Sequence, residues 1–232
     1  MQLQGLATYL DVVIAPRRAF ARLAGAPTWG WAALCGLALT LVAVLVSERA
    51  QLHLLALSEA HRLAALPPGE RLSERIATAQ VAPMRPALFV IGALVAPWLY
   101  WSLLSVFFFL AAAIGRGQAR LGSAWVLAIN SYAPYGIAGV INALLVAVAD
   151  PESLTSATSL VRLPSPGWFV HDDPRLAGFL SAYHVGDLWY LAIVALALHT
   201  LMRLSWLAAL LATVALSLLF GLFASFAAGG AP

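Results

Sequence analysis

The sequence predicts an all-α, polytopic membrane protein: five transmembrane helices preceded by an N-terminal amphipathic interfacial helix. Three observations predict it. Of 232 residues, 62% are hydrophobic and only 10% are charged, against roughly 45–50% and about 25% in a soluble domain. The charges leave long runs free of ionisable side chains. Those runs are continuously apolar instead of alternating, which indicates helices and not a barrel. Such a composition excludes a disordered chain, a coiled coil, a disulfide framework and an ordinary cytosolic enzyme.

About 20 helical residues at 1.5 Å each cross a hydrocarbon core of about 30 Å. By that measure a membrane domain over 29–228 holds spans at about 29–47, 87–115, 121–149, 188–202 and 204–228. The first run, preceded by Asp11 and two amphipathic stretches, is too long for the apolar core of a cleavable signal. The fourth span is short, and Arg203, which can snorkel, separates it from the fifth. So tight a connection requires an antiparallel helical hairpin.

Residues 1–28 read as a cytoplasmic amphipathic segment. Leu3, Leu6, Leu10 and Val13 recur at helical spacing, and Pro16 restarts the helix, since proline is tolerated in a first turn. Beyond it Phe20 and Leu23 fall on one side and Arg17, Arg18 and Arg22 on another. That pattern suits a helix lying on an anionic leaflet, with Phe20 and the three arginines as surface contacts. Trp29 and Trp31 are expected at the interface, where amphipathic rings are favoured.

Two outer loops are expected at 48–86 and 150–187. The first extends the preceding helix through Leu52, Leu55, Leu63 and Leu66. It breaks at Pro67-Pro68-Gly69 and continues as a short helix around Leu72 and Ile76. The second turns at Pro164-Ser165-Pro166-Gly167, carries an interfacial helix over Leu176–Tyr183, and reaches Asp187 as the expected N-cap of the fourth span.

All thirteen basic residues are arginine. Apart from the adjacent Arg17 and Arg18 they are scattered, so no nucleic-acid-binding stripe is expected. Arg17, Arg18, Arg22, Arg116, Arg120 and Arg203 fall on the N-terminal side against one acid, Asp11. Positive charge is retained in the cytoplasm, so the N-terminus is expected inside and the C-terminus outside.

Three segments carry a resemblance. Pro16-Arg17-Arg18-Ala19-Phe20 with Pro27-Thr28-Trp29, then Ser131-Tyr132-Ala133-Pro134, then Asp187-Leu188-Trp189-Tyr190 followed by Leu204-Ser205 are similar, in that order, to motifs of the Yip family of Ypt/Rab-interacting membrane proteins. The chain departs at Met202-Arg203-Leu204-Ser205, which keeps a basic residue and serine without the glycine of many relatives. The resemblance covers about residues 10–226. It implies a five-span membrane fold, and arginine-only, alanine-rich usage points to a bacterial-type member in the inner membrane.

Reactive groups are few. Cys35 stands alone in an apolar run and reads as a small hydrophobe. His53, Glu59 and His61 could share a helix face, and His171-Asp172-Asp173 lies in the same outer loop as His184 and Asp187. Solvated surfaces account for both groups, and neither a metal nor another cofactor is expected. His199 and Arg203, four apart, are expected on one helix face. Asn130, Ser131, Tyr132 and Asn142 make the third span polar. Asn130 is placed to satisfy the carbonyl freed by Pro134, and Asn142 to bond across to a neighbouring helix. Ser102, Ser105, Ser131, Ser205 and Ser217 lack a G-x-S-x-G setting, so no enzyme is expected. Gly221 and Ser225 would allow close helix contact, in the bundle or in a homo-oligomer.

The expected function is therefore a non-enzymatic, partner-binding or membrane-organising subunit that contacts anionic lipid and a membrane-protein partner or a second copy. The alternative is a small transporter, permease subunit or lipid-moving protein with a polar path along the third span. Asn130, Tyr132, Asn142, His199 and Arg203 are the candidate binding residues.

Overall fold

The computed structural model describes residues 2–170 and 172–229; His171 and the Leu3 side chain lie outside the described residues. Among the described residues there are α-helices and short 3-10 turns and no strand. The apolar runs fold as α3 (Gly30–Ala65), α5 (Arg85–Ile114), the pair α6 (Leu121–Ser131) and α7 (Ala133–Ala147), and α10 (Trp206–Gly229). Each of these four is long and apolar enough to cross a membrane. α8 (Pro174–Ser181) and α9 (Val185–Leu201) together pass the same test as one span bent by 51°. Alone, α9 has 17 residues, about 25 Å at 1.5 Å per residue, less than a hydrocarbon core.

α3 and α7 run side by side in the same direction and form the most extensive helix contact. Small residues make that possible. A Cβ on Gly36 would sit 2.9 Å from the Trp101 ring and 3.2 Å from Tyr132, and one on Gly136 would sit 3.0 Å from Leu39. The core fills with Trp101, Phe108, Leu127, Ile129, Tyr190 and Leu198, all buried. Gly221 lies under the Phe179 ring and Gly178 against Ala224, so the small-residue face of α10 is occupied by α8.

The N-terminal segment forms a helical hairpin, α1 (Gln2–Ile14) and α2 (Pro16–Gly25), with Pro16 opening the second arm. It does not lie free on a surface. Ala19, Phe20 and Leu23 are buried, with α2 packed on α9. Phe20, expected as a lipid contact, is 0% exposed. Its ring has a protein partner because α2 turns its apolar side toward the bundle.

α3 passes Glu48-Arg49 without a break and ends before Pro67. α4 (Pro68–Val81) then folds back, and ion pairs Arg62–Glu74 and Arg85–Glu59 tie α3, α4 and α5 together. We call this the far end of the bundle. The near end holds the turns at 26–29, 115–120 and 202–205. There the Gln118 N–H donates to the Met202 carbonyl at 2.7 Å. Arg116 (φ 56°) and Arg203 (φ 53°) both adopt the left-handed conformation that costs a side-chain-bearing residue about 1–2 kcal/mol.

Candidate functional site

The third span is broken at Tyr132 because Pro134, in the first turn of α7, has no N–H to continue the ladder. The polar residues around the break are held as follows. Asn130, 2% exposed, donates from Nδ2 to the Val126 carbonyl at 2.9 Å and the Thr28 carbonyl at 3.0 Å. Its amide therefore clamps the turn leading into α3, instead of satisfying the carbonyl freed by Pro134. Tyr132 reaches Thr40 at 2.9 Å. Because the Thr40 hydroxyl donates to Gly36 O, the phenol is the donor in that pair.

Asn142 also departs from expectation. Its amide makes no hydrogen bond to a neighbouring span among the described residues. Nδ2 donates to Leu160 O at 2.8 Å, while Oδ1 accepts from the backbone N–H groups of Arg162 (2.8 Å) and Leu163 (3.1 Å). One side chain thus pins the far-end loop onto α7. Between α3 and α7 lies a cavity of about 330 Å³ whose polar lining includes Thr40, Ser47, Gln51, Tyr132 and Asn142. Ser47 donates to Ala43 O, and Gln51 donates to the Ser47 hydroxyl. The groove's polar groups are largely engaged within the protein.

Tyr132 also belongs to a phenol cluster that sequence reasoning missed. Tyr100 lies 5.9 Å from Tyr132 and 6.0 Å from Tyr135, and Tyr135 lies 5.9 Å from Tyr190, ring centre to ring centre. The hydroxyls of Tyr100 and Tyr190 are buried and interact with each other. Only the Tyr132/Tyr135 spacing was visible in the chain; the other two rings come from different spans. In α1, burial pushes the Tyr9 phenol well above its ordinary range, so it stays neutral.

Trp29 meets Trp98 and Trp125 edge-on at 6.4 Å each, and the Trp31 ring lies against Gly5 of α1. Both tryptophans remain partly exposed beside these contacts. His199 and Arg203 do not share a helix face, because α9 ends at Leu201 and Arg203 sits in the left-handed turn. His199 stacks on Trp206 at 4.2 Å and bonds through Nδ1 to Leu204 O at 2.8 Å, closing the α9–α10 connection. Asp187, expected as the cap of α9, is not the cap. His184 is, its Nδ1 accepting from Gly186 N and Asp187 N.

Arg22 pairs with Asp11. Arg17, Arg18, Arg116, Arg120 and Arg203 are exposed, and none has an acidic partner among the described residues. No three metal-ligating side chains converge among the described residues.

No curated protein and no solved structure matches this chain. A family model described as Yip1 domain matches residues 10–228, from the end of α1 through the broken third span to the closing helices. With nearly its whole length matched, the chain belongs to the Yip1-domain family of integral membrane proteins.

Proposed function

We propose that this protein is a non-enzymatic, membrane-organising subunit of a bacterial inner membrane. Its N-terminus faces the cytoplasm, and its near end grips the anionic leaflet. The observation that carries this reading is the fixed placement of charge. α2 buries Ala19, Phe20 and Leu23 against α9 while Arg17 and Arg18 stay exposed without a carboxylate partner among the described residues. Chain topology sets Arg116, Arg120 and Arg203 at that same end. Cationic side chains docked rigidly beside apolar spans suit headgroup phosphates, at about 1 kcal/mol per arginine near an anionic surface. The internal engagement of Asn130 and Asn142 supports this reading over a polar path along the third span.

The test is full-length protein reconstituted into nanodiscs of mixed phosphatidylcholine and phosphatidylglycerol, with retained lipid counted by native mass spectrometry. The R17E/R18E variant should retain about tenfold less phosphatidylglycerol at unchanged helicity. Equal retention in both proteins would defeat the proposal.

A further inference from the structure

At the break between α8 and α9 a second cavity, of about 300 Å³, carries an arrangement the near-end reading does not use. Its walls include Tyr100, Tyr135, Phe220 and Phe223, and its polar edge is His184 and Asp187. Asp187 is 5% exposed, and His184 Nε2 lies 2.9 Å from its carboxylate. The imidazole's other nitrogen accepts two backbone N–H bonds, at 3.1 and 3.3 Å. A nitrogen that accepts carries no proton, so the ring is the neutral Nε2–H tautomer. His184 therefore gives Asp187 a hydrogen bond and no compensating charge.

The other possible counter-charges are few. No arginine lines the cavity, and the chain contains no lysine. The partial positive charge at the start of α9 offsets about half an elementary charge. A buried carboxylate without a full partner is costly, and here it shares the cavity with the rings of Tyr100, Tyr135 and Phe220, aromatic groups that favour cations over anions. Tyr100 and Tyr135 stack at 6.0 Å, and Tyr100 and Phe220 at 6.1 Å. The buried Tyr100 hydroxyl adds a polar group to the same wall. Phe223, 72% exposed, sets the mouth on the outward face of α10, among side chains that face lipid.

We propose that this cavity binds an organic ammonium group, with Asp187 as its counter-ion and the Tyr100, Tyr135 and Phe220 rings as its walls. The size and the apolar rim suit an ethanolamine-type headgroup. That chemistry can come from a bilayer lipid or from a free small amine.

The test uses delipidated full-length protein, titrated in native mass spectrometry with phosphatidylethanolamine and with phosphatidylglycerol of the same acyl chains. Free ethanolamine is titrated separately. Wild type should bind phosphatidylethanolamine about tenfold more tightly than phosphatidylglycerol, D187N should erase that preference, and F220L should weaken it about threefold. Should D187N fail to fold, F223A decides. Phe223 lines the cavity mouth and is 72% exposed, so its truncation opens the site without touching the carboxylate or the core, and should cut phosphatidylethanolamine binding at an unchanged thermal midpoint. Lipid binding without competition by free ethanolamine identifies the bilayer as the source. Free ethanolamine that binds wild type but neither variant identifies a soluble amine. Equal affinity of wild type for the two lipids, with no ethanolamine binding, overturns the site, as does F223A indistinguishable from wild type.

Discussion

The broken third span and the spans around it obey opposite rules. In α6–α7, 67% of the membrane-crossing stretch is buried, against 22% in the stretch ending with α5 and 22% in α10. Yet α6–α7 is the least apolar of the three and carries Asn130, Ser131, Tyr132 and Asn142. In water the most apolar helix would be the most buried. In a bilayer, lipid solvates leucine as well as protein does, and packing with internal hydrogen bonds decides what goes to the centre. The polar span is central because only there do its amides find partners.

Substitutions at matched depth should break that comparison most visibly. Trp101→Ala removes a fully buried ring that touches Trp98 and Tyr132, and should cost about 3–5 kcal/mol in a detergent-based unfolding titration. Leu103→Ala on the same helix, at a side chain 72% exposed, should stay within about 0.5 kcal/mol. Similar losses at both positions would mean that α5 is buried all round in the folded protein.

Asn142→Leu sharpens the contrast from the polar side. It strips three hydrogen bonds from the loop at Leu160–Leu163 and should cost about 2–3 kcal/mol. Hydrogen exchange at Arg162 and Leu163 should rise while that of α7 holds. Protection unchanged at those two amides would show that the loop is fixed by other contacts.

The smallest effect is expected at the closing turn. His199→Phe keeps a ring over Trp206 but loses the bond to Leu204 O, for about 1 kcal/mol. A thermal-midpoint change several times that of Leu103→Ala would assign the imidazole a larger role than holding one carbonyl.

The fold class was legible because apolar run length is a one-dimensional property. Continuous runs such as 87–115 report a helix with no knowledge of its neighbours, and the breaking effect of Pro67 and Pro134 is equally local. What the chain did not show depended on three-dimensional contact. The amphipathic pattern of residues 16–25 correctly separated Phe20 from the arginines, but it could not say whether the apolar side would meet lipid or α9. The polarity of Asn130 and Asn142 was plain, and their partners, Thr28 and the 160–163 backbone, lie far along the chain. At the start of α9 both His184 and Asp187 could cap. The imidazole does so because Gly186 lets the turn close against Ala138, which leaves the carboxylate to the cavity.

The 36 residues of α3 reach about 54 Å at 1.5 Å each, well beyond the roughly 30 Å a hydrocarbon core requires. The surplus is braced by α4 and the two ion pairs at Arg62 and Arg85, so α3 continues as a pillar beyond the length a hydrocarbon core requires. A pillar sets a stand-off distance. Any protein approaching that side of the membrane meets the tip of α3 before it meets lipid, and a neighbour in the same membrane must leave lateral room for the hairpin. The helices thus impose vertical clearance and horizontal spacing on their surroundings.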